Sequence, residues 1–140
     1  MNYIDVDKIV EAIRKAELLT SGEIRVYVAK HCREDALEKS SMVFHNLNMH
    51  KTALRNAVLI FVCPADHKAA ILGDTGINNV IDDKGFWDNT LEELISYCSK
   101  DMITEGICKA VEKAGNLIKL KYPFVEGDIN ELDNEVILES

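Results

Sequence analysis

The sequence has no apolar run long enough to cross a bilayer; the unbroken stretch Ala57–Cys63 covers only two turns of helix or one strand. The opening residues MNYIDVDKIVEAIRK are charged from the start, which fits neither a signal peptide nor an anchor. A cytoplasmic location is therefore expected. The four cysteines, Cys32, Cys63, Cys98 and Cys108, form no CxxC pair. That spacing argues against a zinc site or a disulfide framework and for buried, reduced thiols. Basic residues are the minority, 16 against 24 acidic, and no arginine-rich block interrupts the surplus. A chain with net charge −8 lacks the electrostatic footprint of a nucleic-acid binder. There is no internal repeat and no low-complexity tract.

What remains is enough for one domain. In 140 residues, 47% hydrophobic, a real core is expected and two ordinary domains are not. The chain divides into a single α/β domain, residues 1–124, and an acidic C-terminal tail, residues 125–140.

The stretch Arg55–Gly76 organises the domain. Ala57–Cys63 suits a central strand buried on both faces. Pro64-Ala65-Asp66-His67 is a turn, and Lys68–Leu72 returns antiparallel to end at Gly73-Asp74-Thr75-Gly76. Upstream, Val6, Ile9, Val10, Ile13 and Ala16 recur at helical spacing behind Asp5, a candidate N-cap. Glu23–Ala29 alternates as a strand, with Ile24, Val26 and Val28 inward and Arg25 and Tyr27 on a face that need not be fully dry. Arg33–Met49 is a helix joining that strand to the central one. A strand–helix–strand unit is normally parallel and right-handed. The expected fold is therefore a three-layer α/β/α sandwich. Its small mixed sheet has two parallel strands plus an antiparallel hairpin strand, with helices on both faces.

Ile77–Gly85 reads as an irregular loop or single turn, and Trp87 as a lid on the sheet end. Thr90 with Glu93 fits a capping box ahead of a short helix through Cys98. Met102–Lys121 is a longer helix, in which Gly106 and Gly115 suggest close packing on the sheet.

This topology gathers polar residues at one sheet end: Thr20, Ser21 and Glu23 lead into the first strand, Thr52, Arg55 and Asn56 into the second, and Asp74 and Thr75 leave the third. Glu23, Asp74, Thr75 and Asn56, with loop carbonyls, are suitable ligands for a hard cation such as Ca2+ or Mg2+; Asp88, Asp128 and Glu131 are weaker contributors. Arg55 suits a phosphate oxygen, and Arg55, Asp74 and Asp88 are the candidates for any catalysis. The plainer alternative is structural: Glu23 pairs with Arg55 while Asp74 caps the glycine turn. Asp128–Asp133 lacks the glycine and ligand pattern of an EF-hand. His45 and His50 read as surface residues five apart, and no histidine is expected at the polar end.

Several pieces in order resemble the TPM domain family: Thr20-Ser21-Gly22-Glu23-Ile24-Arg25-Val26, Arg55-Asn56-Ala57-Val58, Leu72-Gly73-Asp74-Thr75-Gly76-Ile77, Trp87-Asp88 and Asn130-Glu131-Leu132. Ala57 stands where the family usually has Gly, and Asp133 where its tail usually has Pro. The resemblance implies an α/β/α sandwich with a calcium-binding loop region, and acid phosphatase activity in some plant members. Lacking a signal and an anchor, the chain looks like the small stand-alone soluble branch. Three functions follow: a cation-binding module serving a protein partner or assembly, a metal-assisted hydrolase of a phosphomonoester, and a metal-free adaptor.

Overall fold

In the computed structural model, residues 4–80, 84–126 and 136–139 are described. Helix α1 (Val6–Glu17) starts where Asp5 accepts a hydrogen bond from the Lys8 amide and buries Ile9, Ile13 and Ala16. Strand β1 (Glu23–Val28) pairs in parallel with β2 (Ala57–Cys63), and β2 pairs antiparallel with β3 (Lys68–Gly73). Between β1 and β2 lies α2 (Ala36–Asn46), followed by a 3-10 turn at Met49–Lys51. All seven residues of β2 are buried, as its unbroken apolar sequence requires for a strand covered on both sides.

One face of the sheet carries Ile24, Val26, Val58 and Ile60 against α1, α4 (Lys84–Ser99) and α5 (Ile103–Ile118). The opposite face carries Leu59, Phe61 and Ala70 against Val43 and Phe44 of α2. The fold is the three-layer α/β/α sandwich expected from the sequence, with a parallel pair and a hairpin strand at its centre.

The structure departs from the expectation in five places. The sheet has a fourth strand: β4 (Val136–Leu138) pairs in parallel with β1, giving the order β3-β2-β1-β4, so the end of the acidic tail is part of the sheet. Glu139 clamps it there. Its carboxylate accepts from the Tyr27 hydroxyl at 2.7 Å and the Lys30 amide at 2.9 Å, and its amide donates to the Val28 carbonyl. Second, Thr75–Val80 is a short helix, α3, where the sequence suggests an irregular loop or a single turn from Ile77 onward. Third, α4 begins at Lys84, so Thr90 is buried inside it and does not cap it; Trp87 lies half-buried on the main core.

Fourth, Gly106 and Gly115 are spacers between helices, not between helix and sheet. A Cβ at Gly115 would lie 2.7 Å from the Ala16 Cβ, and one at Gly106 would lie 2.6 Å from the Tyr97 Cβ. Fifth, Arg25 is 1% exposed, so the second face of β1 is dry at that position.

Candidate functional site

The parallel β1–β2 pair and the returning β3 do bring the polar residues to one end. Glu23 lies opposite Ala57, and the Asp74 amide donates to the Ala57 carbonyl at 2.9 Å. Glu23 and Asp74 thus flank the start of β2 on either side. Two strand spacings, roughly 10 Å, separate their backbones.

Asp74 is 5% exposed and its carboxylate is taken in bidentate fashion by Arg55. Nε donates to Oδ2 at 2.7 Å and Nη2 donates to Oδ1 at 2.8 Å. The Thr75 amide also donates to Oδ1, at 2.7 Å, at the start of α3. Arg55 is left-handed at φ 51°, a conformation uncommon outside glycine, Asn and Asp, and its side chain is 45% exposed. The Asp74 carboxylate raises the guanidinium pKa further, chiefly through these hydrogen bonds. Gly76 makes the closeness possible, since its amide donates to the Arg55 carbonyl at 2.8 Å.

Glu23 is not the partner of Arg55. It is 4% exposed, with Oε2 3.9 Å from Nη2 of Arg25. Arg25 also meets Glu17, whose Oε2 accepts from Nη1 at 3.0 Å and from the Ile24 amide at 3.2 Å. Glu17 reaches back from the end of α1, so its role depends on where α1 is laid down. Asn56 is 2% exposed and ties loops together: its Nδ2 donates to the Ser21 carbonyl, and its own carbonyl accepts from the Glu23 amide. The structural alternative is thus half realised: Asp74 does hold the start of the helical turn, but it is also the residue that takes Arg55.

Thr75 and Asp88 are exposed. Asp128 and Glu131 lie outside the described residues. Among the described residues, no group of three or more His, Cys, Asp or Glu side chains is placed to hold a metal ion. As arranged, Asp74 is the ion-pair partner of Arg55, and Glu23 lies beside Arg25. The four cysteines are free thiols, three of them buried.

Histidine also reaches this neighbourhood. His45, at the end of α2, and His50, in the 3-10 turn that leads through Thr52 and Arg55 into β2, bring their rings to 4.6 Å. The turn folds the chain back, which helical spacing alone does not reveal.

The profile of the TPM domain matches residues 2–117. The chain belongs to the TPM domain family. The NMR structure of BA42 protein from the psychrophilic bacterium Bizionia argentinensis superposes with a TM-score of 0.86 at 38% identity, covering 98% of this chain and 96% of that one. The N-terminal domain of cg2496 protein from Corynebacterium glutamicum shares the fold, with a TM-score of 0.60 at 13% identity over 90% of this chain and 80% of that one. No curated protein matches this sequence. Within this TPM domain, no helix among the described residues is long and apolar enough to cross a membrane.

Proposed function

We propose that this TPM domain is a binding and assembly module, and that a divalent cation, Ca2+ or Mg2+, engages its sheet end only in competition with Arg55 for Asp74. The observation that carries the reading is the bidentate Arg55–Asp74 pair, a buried carboxylate closed by a guanidinium that is itself half-exposed. A hard cation needs several oxygens. Asp74 supplies them once Arg55 swings out, together with the Thr75 hydroxyl and the carbonyls of the Leu54–Arg55 turn, which lies against Gly76. Exchange of one cation for another makes such a site weak and selective for conditions in which Arg55 is displaced.

The hydrolase alternative asks Arg55 to hold a phosphoryl oxygen, and here Arg55 already spends its Nε–Nη2 edge on Asp74, leaving a phosphate only the Nη1 side unless Asp74 is displaced. The geometry therefore favours binding over phosphomonoester hydrolysis.

Calorimetric titration of chelator-stripped protein with Ca2+ and then Mg2+, with the melting temperature followed alongside, tests the proposal. Arg55→Ala is expected to bind the cation at least as tightly as the parent, and Asp74→Asn to lose binding. Absence of saturable binding in both the parent and Arg55→Ala would remove the cation and leave the metal-free adaptor.

A further inference from the structure

Large apolar side chains protrude at one end of the molecule, and they belong to segments distant in sequence. Leu18 is 67% exposed, Leu54 56%, Leu120 71%, Phe124 47% and Val125 57%. Helices α1 and α5 run in parallel: Asp5 meets Thr104, Lys8 meets Cys108 and Ala16 meets Gly115. Both therefore end beside the start of β1. Backbone contacts stitch these ends together. Thr20 bridges Pro123, the Phe124 amide donates to the Leu19 carbonyl, and the Tyr122 hydroxyl donates to the Gly76 carbonyl at 2.9 Å. Gly76 in turn abuts Leu54. The segments that carry the protruding residues thus gather at one end of the molecule.

Cations surround it. Arg14 and Lys15 lie in the last turn of α1, Lys119 and Lys121 follow α5, and Lys51 precedes the Leu54 turn. Glu126 is an exposed acid beside them, and exposed Glu11 and Glu112 share a groove with Lys15 and Leu19 on the flank of the patch. Basic residues at helix C-termini complement the helix dipole, which accounts for part of this clustering. It does not account for exposed leucines among them in a chain of net charge −8.

We propose that this apolar and basic end docks the module onto an anionic membrane surface. Protruding leucines with interleaved cations suit the boundary between headgroups and acyl chains, where apolar tips insert and lysines meet lipid phosphates and carboxylates. A second copy of the chain is disfavoured, since a two-fold contact would set the same cations against each other. The acidic remainder of the molecule turns away from an anionic surface, so only this end can lead. The proposal deepens the binding-module reading by naming a partner, and it does not require the cation.

The test is co-sedimentation of the full chain with vesicles of phosphatidylcholine alone and of phosphatidylcholine mixed with phosphatidylserine, in chelator throughout. Chelator separates this outcome from that of the cation titration. The parent is expected to sediment with the phosphatidylserine vesicles and to be released by salt. Lys119→Gln combined with Lys121→Gln should weaken binding about twenty-five-fold, about fivefold for each lysine. Leu18→Ser with Leu120→Ser should weaken it roughly tenfold or more. Leu18, Leu120 and Lys121 are exposed and Lys119 is half-buried, so circular dichroism should show both variants folded. Equal behaviour on the two vesicle types, or no sedimentation at low salt, would overturn the proposal. Self-association abolished by Leu18→Ser with Leu120→Ser, without vesicle binding, would assign the patch to a second copy. Retention by an acidic protein column but not by vesicles would assign it to a protein partner.

Discussion

Gly76→Ala sets two physical effects against each other. Gly76 lies in α3, where alanine is the better helix former by about 1 kcal/mol. On propensity alone the substitution should stabilise. An added Cβ, however, would lie 2.2 Å from the Leu54 carbonyl oxygen and 2.5 Å from that of Arg55. Ordinary contact begins at 3.4 Å, so backbone on the other side must retreat by more than an ångström. Neither obstacle is the end of a flexible side chain. The same retreat lengthens the 2.8 Å hydrogen bond from the Gly76 amide to the Arg55 carbonyl and pulls the Arg55 guanidinium from Asp74. Overpacking costs about 1–3 kcal/mol and a lost hydrogen bond about 1 kcal/mol. After the propensity gain, a net loss of about 2 kcal/mol is expected, a fall of roughly 6–8 °C in melting temperature for a domain of this size. Thermal melts by circular dichroism, checked by urea unfolding, read the difference. Thr75→Ala, at the exposed neighbouring position, should change stability by no more than about 0.5 kcal/mol. If Gly76→Ala melts at or above the parent, the Leu54–Arg55 turn is not held as described and the close approach is not what demands glycine.

Four further outcomes follow from the ion pairs and charge-assisted hydrogen bonds. The Tyr27 hydroxyl, with the Lys30 amide and Lys39, holds the Glu139 carboxyl down to about 2 from an ordinary 4.5. Its stabilising contribution is therefore present above the unfolded value and lost as pH falls from about 5 toward 2. Urea unfolding should find Glu139→Gln less stable than the parent by about 2 kcal/mol near neutral pH, a gap that closes as the pH falls through that window. Burial, then Glu139, pushes the Tyr27 phenol up to about 12, so the parent should show tyrosine ionisation delayed in an alkaline spectrophotometric titration. Arg25→Met should cost about 3 kcal/mol or more, because it leaves Glu23 and Glu17 beside a buried apolar group. Adding Glu17→Gln and Glu23→Gln should recover much of that loss in the same assay. Lys113→Ala breaks an exposed pair with Glu93 and should move the unfolding midpoint by less than about 0.5 kcal/mol.

Local patterns carried much of the fold. The apolar run Ala57–Cys63, the turn at Pro64–His67 and the helical spacing behind Asp5 are properties of consecutive residues, and each element stands where its own sequence places it. The parallel β1–β2 pair follows from the chirality of strand–helix–strand units, and with it the meeting of Glu23, Asn56, Arg55 and Asp74 at one end. What the sequence could not settle was which acid each arginine would take. Two arginines face three carboxylates, and residue types alone allow several pairings. Only the tertiary structure decides, because Glu17 arrives from the end of α1 to join Glu23 at Arg25, and the Gly76 approach aims Arg55 at Asp74. β4 was hidden for a similar reason. Three apolar residues in an acidic stretch carry almost no local signal, and they become a strand by pairing with β1, more than a hundred residues away in sequence. Position along the chain determined the elements; the contacts that close the site are long-range, and those exist only once the layers have packed.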